Sequence, residues 1–264
     1  MKNFKEAFDC LLGKISSREN FAFTRFSDGE LAIMKNKYVL LAADHFMEGD
    51  HRGPGRYTEE ELKEFIPEEH QMHRDLLIES FKFNENNYFK GICTSSDPHV
   101  ANHNFQWMID LHGGDHENLT FSNLLINANY SRFIEEMIPL LMDREIIYIV
   151  NENAATEKLP FEIKKEFKIG SNCMINNFDT STKVEQYITD NKIENHIVLC
   201  SAASLSNFVI YQCYKKNQNN TFLDIGSCLN PLLDLEGWKY TRGYLTSYWL
   251  NSDSPFGRQV DVWK

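Results

Sequence analysis

Residues 197–229, IVLCSAASLSNFVIYQCYKKNQNNTFLDIGSCL, decide the fold. The run opens on apolar Ile197-Val198-Leu199-Cys200, a strand, and stops at a turn of small residues, Ser201-Ala202-Ala203-Ser204. Residues 204–216 then read as a helix, and 221–227 as a second strand that ends at Asp224-Ile225-Gly226-Ser227. Strand, helix and strand in that order are the repeating unit of an α/β sheet. Working outward, EIIYIV at 145–150 is a buried strand rich in β-branched residues, and 182–192 is a helix. YFKGICTS at 88–95 is a strand followed by a helix over 98–111, and NLLINANY leads into a helix that runs to Met142. Phe4, Phe8, Leu11 and Leu12 recur at helical spacing over 3–14. Residues 21–26 form a strand, with a helix beginning at Leu31. Residues 40–57, rich in glycine and charge, are a loop, of which 44–57 could cover a bound ligand. Thr58 followed by Glu59, Glu60 and Glu61 predicts a helix start, with helical texture to Phe83 broken at Pro67. The pattern predicts an α/β fold, a mostly parallel sheet with helices on both faces, and one domain over 1–264.

Composition narrows the function. The chain has 264 residues, 42% hydrophobic and 13% aromatic, enough for a core. Its net charge of −11 argues against non-specific binding to nucleic acid or an anionic membrane. No window nears the ~18 apolar residues of a membrane span. The six cysteines are scattered, without a CxxC pair, and read as buried thiols. With no signal-peptide pattern at the start, the expected location is cytoplasmic.

Ligands of such sheets bind beyond the carboxyl ends of the strands. Three strands end in small or polar residues, before Ser27-Asp28-Gly29-Glu30, Ser201-Ala202-Ala203-Ser204 and Gly226-Ser227. The first, in FAFTRFSDGELAIM (21–34), has two readings. Ser27-x-x-Glu30 is a capping box with Asp28 favouring the helix dipole. Alternatively, Asp28 and Glu30 form an Asp-x-Glu clamp for a hard cation such as Mn²⁺ or Mg²⁺, with Gly29 letting a diphosphate approach. Arg25, just before the turn, could then take a phosphate oxygen.

TRFSDGEL resembles the R-(F/Y)-G-D-G-E signature of the GT-D-type glycosyltransferases, a family first described as a domain of unknown function. Residues 197–229 resemble its C-terminal half, where a strand ends in a Gly-Pro-Thr-Ala-like turn, a helix follows, and the next strand ends in Asp-(Ile/Val)-Gly. The resemblance implies a Rossmann-like sheet and sugar transfer from a nucleotide sugar, typically UDP-linked, with a divalent metal on Asp28 and Glu30. It further implies that Ser201, Ala202, Ala203 and Ser204 form a second nucleotide-side turn, and that Asp224 and Gly226 close the pocket. The chain departs from the pattern at Ser27, which replaces a glycine, at the Ser201–Ser204 turn, and at Ser227, where histidine is common.

The acceptor would be a glycan, a glycoprotein or another hydroxyl compound. An inverting reaction needs a carboxylate base, for which Asp224, Asp234 and Glu236 are candidates. One alternative is a non-catalytic nucleotide- or glycan-binding protein. Another is an S-adenosylmethionine-dependent methyltransferase, since FLDIGS resembles that fold's first motif. Fewer than about 40 residues follow Gly226, too few for the remaining βα units of that fold. His99 and His103, four apart on a helix, could share a metal, although plain surface histidines explain them as well. HGGDHE at 112–117 is a polar helix-end loop or the lining of an acceptor site. His70 and His73 are expected to face solvent. The aromatic run YTRGYLTSYWL (240–250) reads as packing or as a platform for a sugar ring.

Overall fold

The computed structural model describes residues 1–42, 61–93, 102–126 and 129–235. Helix α1 (Phe4–Ser16) leads into strand β1 (Ala22–Phe26) and helix α2 (Asp28–Met34). A two-stranded antiparallel ribbon pairs β2 (Val39–Leu41) with β3 (Lys63–Phe65). Next come α3 (Gln71–Lys82), β4 (Tyr88–Ile92), α4 (Asn102–His112) and β5 (Leu119–Phe121). A helical stretch passes through α5 (Tyr130–Arg132), a π turn at Phe133–Met137 and α6 (Ile138–Met142). Strands β6 (Ile146–Asn151) and β7 (Ile163–Ile169) precede α7 (Cys173–Asn176) and α8 (Thr180–Asp190). Strand β8 (Ile197–Cys200), α9 (Leu205–Lys216) and β9 (Thr221–Asp224) complete the described elements.

Among the described residues, the main sheet has seven strands, all parallel, in the order β5-β4-β1-β9-β8-β6-β7. Side chains alternate between two cores. On β6, Ile147 and Ile149 face one core, while Ile146, Tyr148 and Val150 face the other. The first core holds the apolar faces of α2, α3, α8 and α9; the second holds α1 and the Tyr130–Leu141 stretch. Strands covered on both faces read as unbroken apolar runs, which is why β6, β8 and β9 are plain in the sequence.

The sheet's register sets the site. Strand β9 lies between β1 and β8, with Phe23 beside Leu223 and Cys200 beside Asp224. The three strand ends singled out from the sequence are therefore neighbours at one edge.

Several expectations are corrected. The helix predicted from Thr58 does not exist at 63–65, which is strand β3, and α3 begins only at Gln71. Pro67 disfavours helical backbone at Ile66, and the Ile66 N–H donates to His70 Nδ1 at 3.0 Å. Strands β5 and β7 were not expected. β7 is an edge strand carrying Lys164, Lys165, Glu166 and Lys168, charges that protect an edge and hide its strand character. His70 and His73 are half-buried, not solvent-facing, and the His73 ring packs edge-on to Phe178 at 4.8 Å. All six cysteines are free thiols, five of them buried, as expected. Among the described residues no helix is long and apolar enough to cross a membrane.

Candidate active site

Arg25 extends from β1 toward the end of β9. Its Nη2 donates to Asp224 Oδ1 at 3.1 Å and its Nη1 to the Ser122 carbonyl at 3.2 Å. Nε is buried without a partner among the described residues. The Asp224 Oδ1 also accepts the Gly226 N–H at 3.0 Å. Gly226 has φ +50°, and a Cβ there would stand 1.9 Å from Arg25 Nη2. The guanidinium therefore packs onto the Gly226 backbone, and only glycine leaves it room. Burial pushes the Asp224 carboxyl up against the pull of Arg25.

The Ser27 turn is a capping box, the first of the two readings. Ser27 caps α2, and its N–H donates to Glu30 Oε2 at 3.0 Å. Its hydroxyl bonds Asp28 Oδ1 at 3.1 Å. The other Glu30 oxygen has partners from two distant elements. Lys63 Nζ of β3 lies 2.9 Å from Oε1, and the Ser204 hydroxyl donates to the same atom. Lys63 also donates to Ser204 Oγ at 2.7 Å. Burial resists ionisation of Glu30, but Lys63, Ser204 and the Ser27 N–H outweigh it and hold the carboxyl at about 2. Gly29 makes this possible, since a Cβ there would stand 2.9 Å from Lys63 Nζ. The ribbon is pinned in turn: Asn172 N–H donates to the Leu62 carbonyl at 2.8 Å, and Glu64 N–H to Asn172 Oδ1 at 3.0 Å.

The turn after β8 is less open than the resemblance implies. The Ser201 hydroxyl bonds Tyr148 at 2.8 Å, and the Ala202 N–H donates to Ser206 Oγ at 3.1 Å. Ala203 sits in the left-handed region at φ +44°. Asn207, one turn into α9, donates to Thr24 Oγ1 at 2.9 Å and to the Arg25 carbonyl at 2.8 Å, locking α9 to the end of β1.

The structure thus brings Arg25, Ser27, Asp28, Gly29, Glu30, Ser204, Asp224 and Gly226 to one edge. Ser227 lies in the turn after β9. Asp234 does not join them; it is 65% exposed and pairs with Lys158. Glu236, His99, the 240–250 aromatic run and all but the start of the 40–57 loop lie outside the described residues. The 112–117 loop leads into the start of β5, at the opposite edge of the sheet. There Asp115 pairs with the Met1 amino group at 2.8 Å and His116 Nδ1 accepts the Asn118 N–H, so an acceptor site at this loop is not supported. Lys63 and Asn207 were missed from the sequence. Lys63 sat in a stretch read as helix, whereas Asn207 had a signal, a polar residue amid the apolar run of α9.

A divalent ion fits this arrangement poorly. Both Glu30 oxygens have partners, and breaking a buried ion pair costs about 3–5 kcal/mol. Only Asp28 of the two acids is without an ammonium partner among the described residues. No cluster of three or more His, Cys, Asp or Glu stands ready for a metal among the described residues.

Fold and site together define an open parallel α/β protein with a largely buried charged network beyond β1, β9 and β8, the edge where this class binds ligands. No protein-family model and no curated protein sequence matches the chain. Solved structures do match its fold. One, described as domain of unknown function 1792, shares 12% identity over 92% of this chain and 81% of its own, with TM-score 0.55. A second, described as a new glycosyltransferase of that domain from Streptococcus sanguinis, shares 12% identity over 88% and 82%, with TM-score 0.54. A third, described as having a distinct glycosyltransferase fold, shares 11% over 92% and 81%, also with TM-score 0.54. At such identity the likeness establishes the fold, and it is the fold that the TRFSDGEL resemblance implied.

Proposed function

We propose that this chain is a glycosyltransferase that moves a sugar from a nucleotide sugar, a UDP-sugar in the first instance, to a hydroxyl of a glycan, glycoprotein or other acceptor. One observation carries the reading. In a fold shared over most of the chain with structures described as glycosyltransferases, two cations, Arg25 of β1 and Lys63 of the β2–β3 ribbon, stand beyond the carboxyl ends of β1, β9 and β8. An open α/β sheet binds ligands at that edge, and anionic diphosphate is the donor's fixed part.

In the transfer, the acceptor oxygen bonds to the anomeric carbon as the bond to the diphosphate oxygen breaks, the electron pair leaving with the diphosphate. The side chains at this edge bind and orient the donor and balance the charge that grows on the leaving group. If the reaction inverts, the acceptor proton passes to a carboxylate. Asp224 lies at this edge and burial raises its basicity. The Mn²⁺ or Mg²⁺ implied by the resemblance would supply charge neutralisation at the diphosphate, and Asp28 with Glu30 would hold it only after Glu30 gave up its present partners.

The test is release of nucleoside diphosphate from a panel of nucleotide sugars, with and without Mn²⁺, using glycan extracts and simple sugars as acceptors. Turnover of one donor supports the reading. Nucleotide binding without turnover on any acceptor would favour a non-catalytic binding protein.

A further inference from the structure

The Asp-x-Glu turn already holds a cation, and that cation belongs to the chain. We propose that Lys63 takes the place of a divalent ion in this site, its ammonium binding the diphosphate oxygens of the donor so that the nucleotide is held without metal. The proposal rests on the donor reading above.

Four features carry it. Lys63 Nζ and a divalent ion bound to Glu30 Oε1 would claim the same oxygen, so the two are mutually exclusive there. An ammonium has three N–H donors; among the described residues two are used, on Glu30 Oε1 and Ser204 Oγ, and the third is the one that would meet a phosphate oxygen. The side chain is only 11% exposed, so its charge is weakly screened, and lysine as a point charge is an established phosphate ligand. The seat is built for it: Gly29 leaves space against α2, and Asn172 fixes the strand on both sides of Lys63. Arg25, held by Asp224 on the neighbouring strand, is the second fixed cation of the same edge.

UDP binding to the full chain, measured by calorimetry in excess EDTA and again in Mn²⁺, tests this. Two variants accompany the wild type. Glu30→Gln/Lys63→Met replaces the buried pair by neutral groups of similar size. Gly29→Ala keeps both charges but pushes the ammonium off its seat. The expected result is that wild type binds UDP in EDTA, that Mn²⁺ changes the affinity little, and that both variants, folded by circular dichroism, bind at least about tenfold more weakly, the effect of losing one charge-assisted hydrogen bond. Binding that appears only with Mn²⁺, or a double variant that binds as wild type in EDTA, overturns the proposal and leaves the nucleotide-sugar reading standing. Absence of UDP binding in both buffers also overturns it. The same titration with other nucleoside diphosphates then decides whether the donor reading falls with it.

Discussion

Neutralising Glu30 tests the site's electrostatics through stability alone. Holding its carboxyl at about 2, against an ordinary 4.5, corresponds to about 3 kcal/mol of folding free energy at neutral pH. Glu30 is buried, so solvent screening takes little from that figure. Because the folded-state value lies below the unfolded one, the contribution is complete above about pH 4.5 and is lost as pH falls toward about 2. Glu30→Gln removes the charge and strands the Lys63 ammonium, which costs about 3–5 kcal/mol for a buried partner left alone. Lys63→Met strands Glu30 and costs a similar amount. The double variant leaves no unpaired charge, so its stability should lie nearer wild type than either single variant, with a coupling of at least about 2 kcal/mol. Urea unfolding of all four proteins at pH 7, repeated down to pH 3, measures both effects. The gap between wild type and Glu30→Gln should narrow as the pH falls. Additive single variants, or a gap that does not change with pH, would refute the pairing.

Other outcomes follow from the same geometry. Lys90 is buried with its ammonium capping the end of α3 through the Phe81 and Phe83 carbonyls, and burial lowers it to about 7. The unfolded chain therefore binds the extra proton between about pH 7 and 10.5, and wild-type stability should rise with pH across that window relative to Lys90→Met, by a few kcal/mol at most, in denaturant titrations. Gly226→Ala forces either the backbone or Arg25 to move, and should lower the melting temperature and weaken UDP binding together. Ala203→Gly relieves a left-handed alanine and should stabilise the fold by about 1 kcal/mol in urea unfolding.

What could be read from the sequence tracks burial. β1, β6, β8 and β9 lie inside the sheet, and covered faces leave apolar runs that no other element imitates. β7, at the edge, looks like a charged surface segment because edges are guarded by lysine. The π turn at Phe133–Met137 carries no pattern distinct from the helix around it. In the site, the glycines and acids of the strand-end turns were legible because turns constrain residue type. The pairings were not. Asp224 finds Arg25 because β9 lies beside β1, and Glu30 finds Lys63 because the β2–β3 ribbon, held by Asn172, folds against the start of α2. Lys63 was the least legible, one lysine in an acidic stretch whose helical texture outweighed the effect of Pro67.

The central claim is that a nucleoside diphosphate sits beyond the carboxyl ends of β1 and β9. Crystals soaked with UDP, with and without Mn²⁺, test it most directly. The account predicts the diphosphate within hydrogen-bond distance of Lys63 in the metal-free soak. UDP seated at another face of the sheet, or absent from this edge under both conditions, would contradict it.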